Sequence, residues 1–470
     1  MTQEPVQETA PARVVAEAAA RVVPDEAQAT VPAAEEGVLG RTDRQHFARQ
    51  GALTFMFSAL TLATNLLTGV VIARALGVEG RGELTAILTV TQIVGWAFGL
   101  GANEATAYYH ARNRDTAGVV TAWLCVIAPA GLLAVIVGEA VLPAALSAQS
   151  DATLRLGQIF MLSVVLAPFG MLKLGILLGT HRYLFYNVFG FAQPTATALV
   201  YVVLWRVGAL SPATALAATF AVSTAFGALL TLQTLRGRIA RPDWSQGMRS
   251  IWYGLRAHGT NLGGMMNSRL DLLIIPAFLA ATSVGLYSVA TNISWIVVSV
   301  SAAIAAIVLP AAARHAEEGV PVVVRSLQAT FVVATVLALA IALVAGVTLR
   351  TLYGAEFEGG TLALRLLLPG SVCYACAAVL WSGLYALDRP LTAAASQALG
   401  VVVTAVGLTL FLQAGGTEAA AIVSTVAYAT VFASALVLYR RAANLAWREF
   451  VVFPDLASLG SLARFSASRL

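Results

Sequence analysis

From Gly51 to Tyr439 the chain is a succession of long apolar stretches with almost nothing between them. A run of about 18 or more residues with few charges is long enough to cross a bilayer as a helix. Spans read at 51–73, 84–108, 117–144, 156–179, 185–206 and 212–235, then at 257–280, 284–311, 323–347, 362–386, 391–413 and 417–439. The expectation is an all-α polytopic membrane protein with about twelve transmembrane helices. Nearly all of the chain is spent on spans, so no room remains for a soluble catalytic domain. Function has to sit inside a helical bundle in the membrane. Transport is the leading reading, and no enzyme activity is expected.

Composition agrees. The chain is 58% apolar and 11% charged, against roughly 45–50% and about 25% in soluble proteins. The net charge of +5 reads as arginines in short loops beside anionic lipid headgroups, with membrane lipids as partners and no nucleic acid. Lys173 is the single lysine among many arginines, which reads as codon bias in a GC-rich, bacterial genome. Cys125, Cys373 and Cys376 lie in apolar segments and read as packing residues. The five histidines stand apart, so no metal site is expected. No Gly-x4-Gly-Lys loop occurs, so neither ATP hydrolysis nor another cofactor is expected. The final Ser468-Arg469-Leu470 reads as a chance match to a peroxisomal address.

Residues 1–45 are rich in Ala, Glu, Pro and Val, lack an apolar signal region and cannot build a core. They read as a disordered cytoplasmic tail. The one long internal joint, arginine-rich, divides the spans six and six. The expected units are therefore an N-terminal six-helix half over 46–236, a cytoplasmic linker over 237–256, a C-terminal half over 257–440 and a cytoplasmic tail over 441–470. The halves echo one another. Gly82-Glu-Leu-Thr matches Gly285-Leu-Tyr-Ser, and Leu177…Arg182 matches Leu384…Arg389. Six spans per half make the repeats parallel, related by an axis along the membrane normal. With both termini inside, seventeen arginines flank the cytoplasmic span ends and six flank the other side.

Charges inside spans are expensive and each needs a reason. Arg269 and Asp271 lie near the middle of the seventh span. Residues two apart point to different sides of a helix, so they do not neutralise each other directly. They read as a substrate-anion or coupling site, with an inter-helix ion pair as the structural alternative. Lys173, in the fourth span, either lines a cavity or snorkels to the interface. Glu104, in the second, either lines the cavity or counters a basic residue. Gly263, Gly264 and Pro276 bracket Arg269 and Asp271 and suggest a bend suited to gating.

Two stretches resemble a known family. Asp271-Leu-Leu-Ile…Val284-Gly285-Leu-Tyr287-Ser-Val-Ala290 is similar to a stretch of the polysaccharide flippases. Ile72-Ala-Arg-Ala-Leu-Gly77…Gly80-Arg-Gly82 resembles their first-span exit. These form the polysaccharide-transport branch of the multidrug/oligosaccharidyl-lipid/polysaccharide exporter superfamily. The resemblance implies two six-helix lobes around a central cavity, working by alternating access in a bacterial cytoplasmic membrane. It also implies an undecaprenyl-pyrophosphate-linked oligosaccharide as cargo, with the glycosyltransferases and glycan polymerase of the same pathway as partners. On that reading Lys173 and Arg269 hold the pyrophosphate from opposite lobes. Asn65, Asn103, Gln193, Asn261 and Asn267 are candidates for glycan hydroxyls. The acidic N-terminal tail departs from the family pattern.

Two other readings stay open. In a drug or cation antiporter of the same fold, Asp271 and Glu104 would exchange ions for a cationic solute. A membrane-embedded glycosyltransferase or polymerase is the third. The orientation is directly testable. Cysteines at Ser245 or Gly247 are expected to resist impermeant thiol reagents in intact cells and to react after lysis; labelling in intact cells would reverse the topology.

Overall fold

The structure, a computed structural model, describes residues 41–112, 116–236, 238–314 and 319–447. The N-terminal tail through residue 40 and the chain from 448 lie outside the described residues. The described residues from Gln50 onward form one compact unit. No strand occurs among the described residues.

The helices run in chain order as α1 (Arg41–Ala97), α2 (Ala102–Arg112), α3 (Ala117–Ala145), α4 (Asp151–Met161), α5 (Ala167–Gly179), α6 (Tyr183–Arg206) and α7 (Pro212–Thr234). They continue as α8 (Trp244–Phe278), α9 (Ala281–Arg314), α10 (Gly319–Thr348), α11 (Thr361–Ala386) and α12 (Pro390–Ala442). Nine segments among the described residues are long and apolar enough to cross a membrane. Two of these break at glycines with positive φ, Gly77 in α1 (68°) and Gly416 in α12 (57°), and so make two passes each. α8 carries Arg249, Arg256, Arg269 and Asp271, yet its 35 residues extend about 50 Å at the helical rise. The arrangement is consistent with twelve passes.

Local signals set several of the ends. α7 opens on a Ser211/Thr214 capping box followed by Pro212. α8 opens on Asp243, whose carboxylate accepts from the Ser245 and Gln246 amides at 3.0 Å. The Gln246 amide first, and then the Ser245 hydroxyl, hold that carboxyl below its usual range.

The internal repeat has structural counterparts. After α5, Arg182 N donates to Leu177 O at 2.9 Å with His181 at φ 55°; after α11, Arg389 N donates to Leu384 O at 2.9 Å with Asp388 at φ 56°. Both are the same six-residue helix stop, each bending through a non-glycine residue in the left-handed region. The second echoed pair meets face to face. A Cβ on Gly82 would lie 1.7 Å from Ala281 O, and one on Gly285 would lie 2.1 Å from Val78 O. Each glycine therefore packs on the carbonyl four residues before the other. Such reciprocity is what a two-fold axis between the halves produces.

Further ties join the lobes at this same end. Gln149 Nε2, in the α3–α4 connection, donates to Pro276 O (2.9 Å) and Leu279 O (2.8 Å) beyond the α8 core. Arg74 donates through Nε to Leu352 O at 2.7 Å and through Nη2 to Thr351 O. The lobes are closed here.

α8 connects the two halves. Its first half packs on the N-terminal lobe through a small-residue face: Ser250 accepts from Trp123 Nε1 at 2.9 Å, and Gly254 abuts Gly101. Its second half joins α12, with Asn267 Nδ2 donating to Gln397 O at 2.7 Å. The helix is continuous through Gly263, Gly264 and Pro276. The close approach at Gly254 explains a feature absent from the hydropathy pattern. The second span is not uninterrupted over 84–108; it breaks at 98–101, with Leu100 and Gly101 at φ 53° and 72°. Gly247 packs so closely that a Cβ would lie 2.5 Å from that of Ala122. Ser245 is exposed, which makes it the usable labelling position of the two.

The contact at Gly101 predicts a graded loss. Alanine in the left-handed region costs about 1 kcal/mol, and this applies equally to Gly208 (φ 71°), which has nothing within 4 Å. A Cβ at Gly101 would also lie 2.0 Å from Gly254 O, and such overpacking adds roughly 1–3 kcal/mol. Gly101→Ala is expected to lower the melting temperature of purified protein clearly more than Gly208→Ala. Equal losses would remove the close approach as the reason for the break.

Candidate functional site

A cavity of about 1020 Å³ occupies the middle of the N-terminal lobe and reaches the second lobe. The second segment of α1 gives Thr85, Thr89 and Gln92, spaced three and four apart on one face. α5 gives Lys173, α6 gives Gln193, and α7 gives Thr219, Ser223, Thr224 and Thr231. From the other lobe come Arg269 and Leu272 on α8 and Ser288 and Asn292 on α9. Aromatic area is supplied by Phe160, Phe169, Phe189, Phe220 and Phe226. Asn65 lines this cavity and also a smaller one of about 380 Å³ between α1 and α6.

The described charges in the wall are all of one sign. Lys173 is only 7% exposed. Its Nζ donates to Gly227 O and Thr231 Oγ1, both at 3.0 Å. An ammonium has three donors, so one remains for an occupant. Arg269 makes no hydrogen bond or ion pair with a described residue, leaving its planar fork to the cavity. Lys173 and Arg269 come from opposite lobes, and among the described residues no Asp or Glu lines the wall. Among the described residues the one ion pair is Arg350–Glu358, exposed and at 3.8 Å. In a water-poor cavity with an effective dielectric near 20, one unit charge at about 4 Å attracts another by roughly 4 kcal/mol. Such a wall can attract an anion and offer contacts to hydroxyl-bearing and apolar groups.

Asp271 faces away from it. The carboxylate is 2% exposed and is enclosed in the C-terminal lobe. It accepts from Tyr287 OH at 2.7 Å, from Leu272 N at 2.8 Å and from Ser424 Oγ at 3.4 Å. Three helices, α8, α9 and α12, converge on this one group. Asn267 is likewise turned into the lobe, between Gly263 O and Gln397 O. Gly263 and Gly264 seat the Gln397 side chain. Glu104 lies in the first turn of α2 and, like Asn103, does not line the cavity. Asn261 lies on α8, with its side chain outside those described. Of the residues singled out in the sequence, the cavity thus gathers Asn65, Lys173, Gln193 and Arg269. It also uses Thr85, Thr89, Gln92, Ser288 and Asn292. Their signal was present as polar residues at helical spacing inside apolar spans. Cys376 is buried in the C-terminal core and Cys373 lies half-buried beside it, both as free thiols.

Because Asp271 is claimed by hydroxyls and Arg269 by none, the two substitutions separate. Leaving buried donors unpaired costs roughly 1–3 kcal/mol. Asp271→Ala is expected to lower the melting temperature in detergent, and Asp271→Asn to lower it less. Arg269→Ala is expected to leave it within a degree or two of wild type (about 0.5 kcal/mol). A large loss at Arg269 would mean that it too is a packing residue.

The sequence profile of a family described as polysaccharide biosynthesis protein matches residues 71–360, more than half of the chain. A comparison with curated proteins returns no match. Among solved structures, the chain is similar to the lipid II flippase MurJ in an inward closed conformation. The TM-score is 0.70 at 12% identity, over 89% of this chain and 93% of that one. It is similar to a multidrug resistance MATE family transporter of the MOP superfamily in an inward-facing conformation, with a TM-score of 0.64 at 14% identity over 82% and 94%. A MOP superfamily transporter from Pyrococcus furiosus, whose reversed pocket polarity suggests a different function, gives 0.55 at 12% identity over 85% and 95%. The fold is that of these transporters.

Proposed function

Because the chain belongs to the polysaccharide biosynthesis protein family, we propose that it moves an undecaprenyl-pyrophosphate-linked oligosaccharide or polysaccharide precursor across a bacterial cytoplasmic membrane by alternating access. The observation that carries this reading is the cavity wall: among the described residues it holds two cations from opposite lobes and no carboxylate. A pyrophosphate satisfies both cations at once and bridges the lobes. Gln193, Thr219, Ser223 and Asn292 offer partners for sugar hydroxyls, and the phenylalanines offer faces for sugar rings. The cargo moves from the inner to the outer leaflet, with both termini and the 237–256 linker in the cytoplasm, as the arginine distribution favours. Glycosyltransferases of the pathway supply the lipid-linked glycan, and a polymerase consumes it.

The likeness to multidrug transporters keeps a drug or cation antiporter as the second reading. A cationic solute needs an acid in the wall. Asp271 is sealed behind Tyr287 and Ser424 instead, which supports the anionic cargo.

Arg269 carries the test. A charge-assisted contact is worth roughly 1.5–3 kcal/mol. Arg269→Ala is therefore expected to slow translocation of a lipid-pyrophosphate glycan in proteoliposomes by at least about tenfold. Arg269→Lys keeps the charge without the bidentate fork and is expected to fall between. Lys173→Ala is expected to be milder, since the ammonium already spends two donors on Gly227 and Thr231. Normal translocation by Arg269→Ala, or efflux of organic cations with no glycan transport, would overturn the assignment.

A further inference from the structure

Arg81 is an intramembrane cation that the transport reading leaves unused. Sequence pattern places it in a loop beside Gly82, but the structure buries it inside α1 with 6% exposure. It lies one helical turn from Thr85, on the face that continues through the cavity-lining Thr89. Its Nη1 donates to Gly69 O at 2.9 Å, one turn from the cavity-lining Asn65. Its Nε reaches Ser288 Oγ at only 3.5 Å. Ser288 belongs to the other lobe and itself lines the cavity. No carboxylate among the described residues pairs with Arg81. A guanidinium carries five donors, and holding one in a span without an acid is expensive.

The lobe contact covers it on one side: Ser288 reaches it from the second lobe, while Tyr201 stands near it within the first. Gly82 is the next residue along the chain, and Gly285 lies three residues before Ser288. The two glycines close against Ala281 O and Val78 O. Arg81 therefore stands at the closed end of the cavity, behind the wall formed by Thr85 and Ser288.

Resting on the anion-transport reading above, we propose that Arg81 is a further phosphate-binding residue, masked while the lobes meet at Gly82 and Gly285 and uncovered when they part there. Gly69 and Arg81 both belong to α1, so their bond survives the separation. Ser288 leaves with the second lobe, and the remaining donors turn to the cavity mouth. A pyrophosphate held by Lys173 and Arg269 then meets a third cation on its way out. The cation costs free energy in the closed state, and the anion offsets that cost in the open one. Anionic cargo thereby favours opening at this end.

The test uses the full chain in nanodiscs with Cys125, Cys373 and Cys376 replaced by alanine. Ser288→Cys is the reporter, an impermeant maleimide the label and inorganic pyrophosphate the probe. Gly285→Val cannot keep its place 2.1 Å from Val78 O, and it opens the contact. Gly82→Val does the same from the other lobe and serves if the first variant folds poorly. In the opened protein, pyrophosphate is expected to slow labelling about tenfold, the worth of one charge-assisted contact. Arg81→Gln keeps a donor for Gly69 O but loses the charge, and it is expected to abolish most of that protection. Arg81→Lys is expected to retain part of it. Protection unchanged in Arg81→Gln overturns the role of Arg81 and leaves the anion reading standing. No protection in any opened protein, with Arg81 and Arg269 both present, overturns both.

Discussion

Two residues apart on one helix, Arg269 and Asp271 form no ion pair, and the character of the cavity depends on that. The acid is taken by Tyr287, Ser424 and the Leu272 amide. Those bonds join α8, α9 and α12 into one packed lobe. The guanidinium spends no donor on a described residue and is left to the cavity. Were the carboxylate turned by about 100° around the helix, the wall would lose half its charge. A packing decision in the second lobe thus sets the electrostatics of a cavity built mainly by the first.

The same economy governs the other buried cations. Lys173 and Arg81 are held by carbonyl and hydroxyl oxygens rather than by acids. Neutral acceptors position a cation without cancelling it, so its field still reaches an occupant. Paired to Asp or Glu, each would serve stability and offer little to an anion. The described spans place cations at the wall and their one deeply buried carboxylate behind it, a pattern suited to the proposed anionic cargo.

Much of the architecture was legible in the chain because the bilayer enforces it. Apolar length alone located the helices, and the Leu177/Leu384 and Gly82/Gly285 echoes located the repeat. In the structure those echoes are a matched pair of helix stops and a reciprocal glycine contact. The break at 98–101 was not legible. It arises from the approach of Gly254, a hundred and fifty residues away, and hydropathy carries no trace of a tertiary contact. The cavity was legible in part. Lys173 and Arg269 stand out because charge in a span is rare, whereas Thr85, Thr89 and Ser288 are ordinary polar residues until packing turns them inward. Arg81 misleads for a third reason: it sits at the end of a span, where arginine is normally interfacial, and only the meeting of the lobes buries it.

The cavity draws few of its described side chains from the second lobe, although both lobes carry the same helix stop. In the second lobe Tyr374 packs against Trp381 and Tyr428, with ring centroids 5.3 and 5.0 Å away. Among the described residues the lobes thus carry unequal duties: the first supplies most of the cavity wall and the second an aromatic cluster. Changes on the polar faces of α6 and α7 can therefore retune which cargo is accepted while the aromatic interior holds the fold, so relatives with divergent substrates are expected to differ most in the first half of the chain.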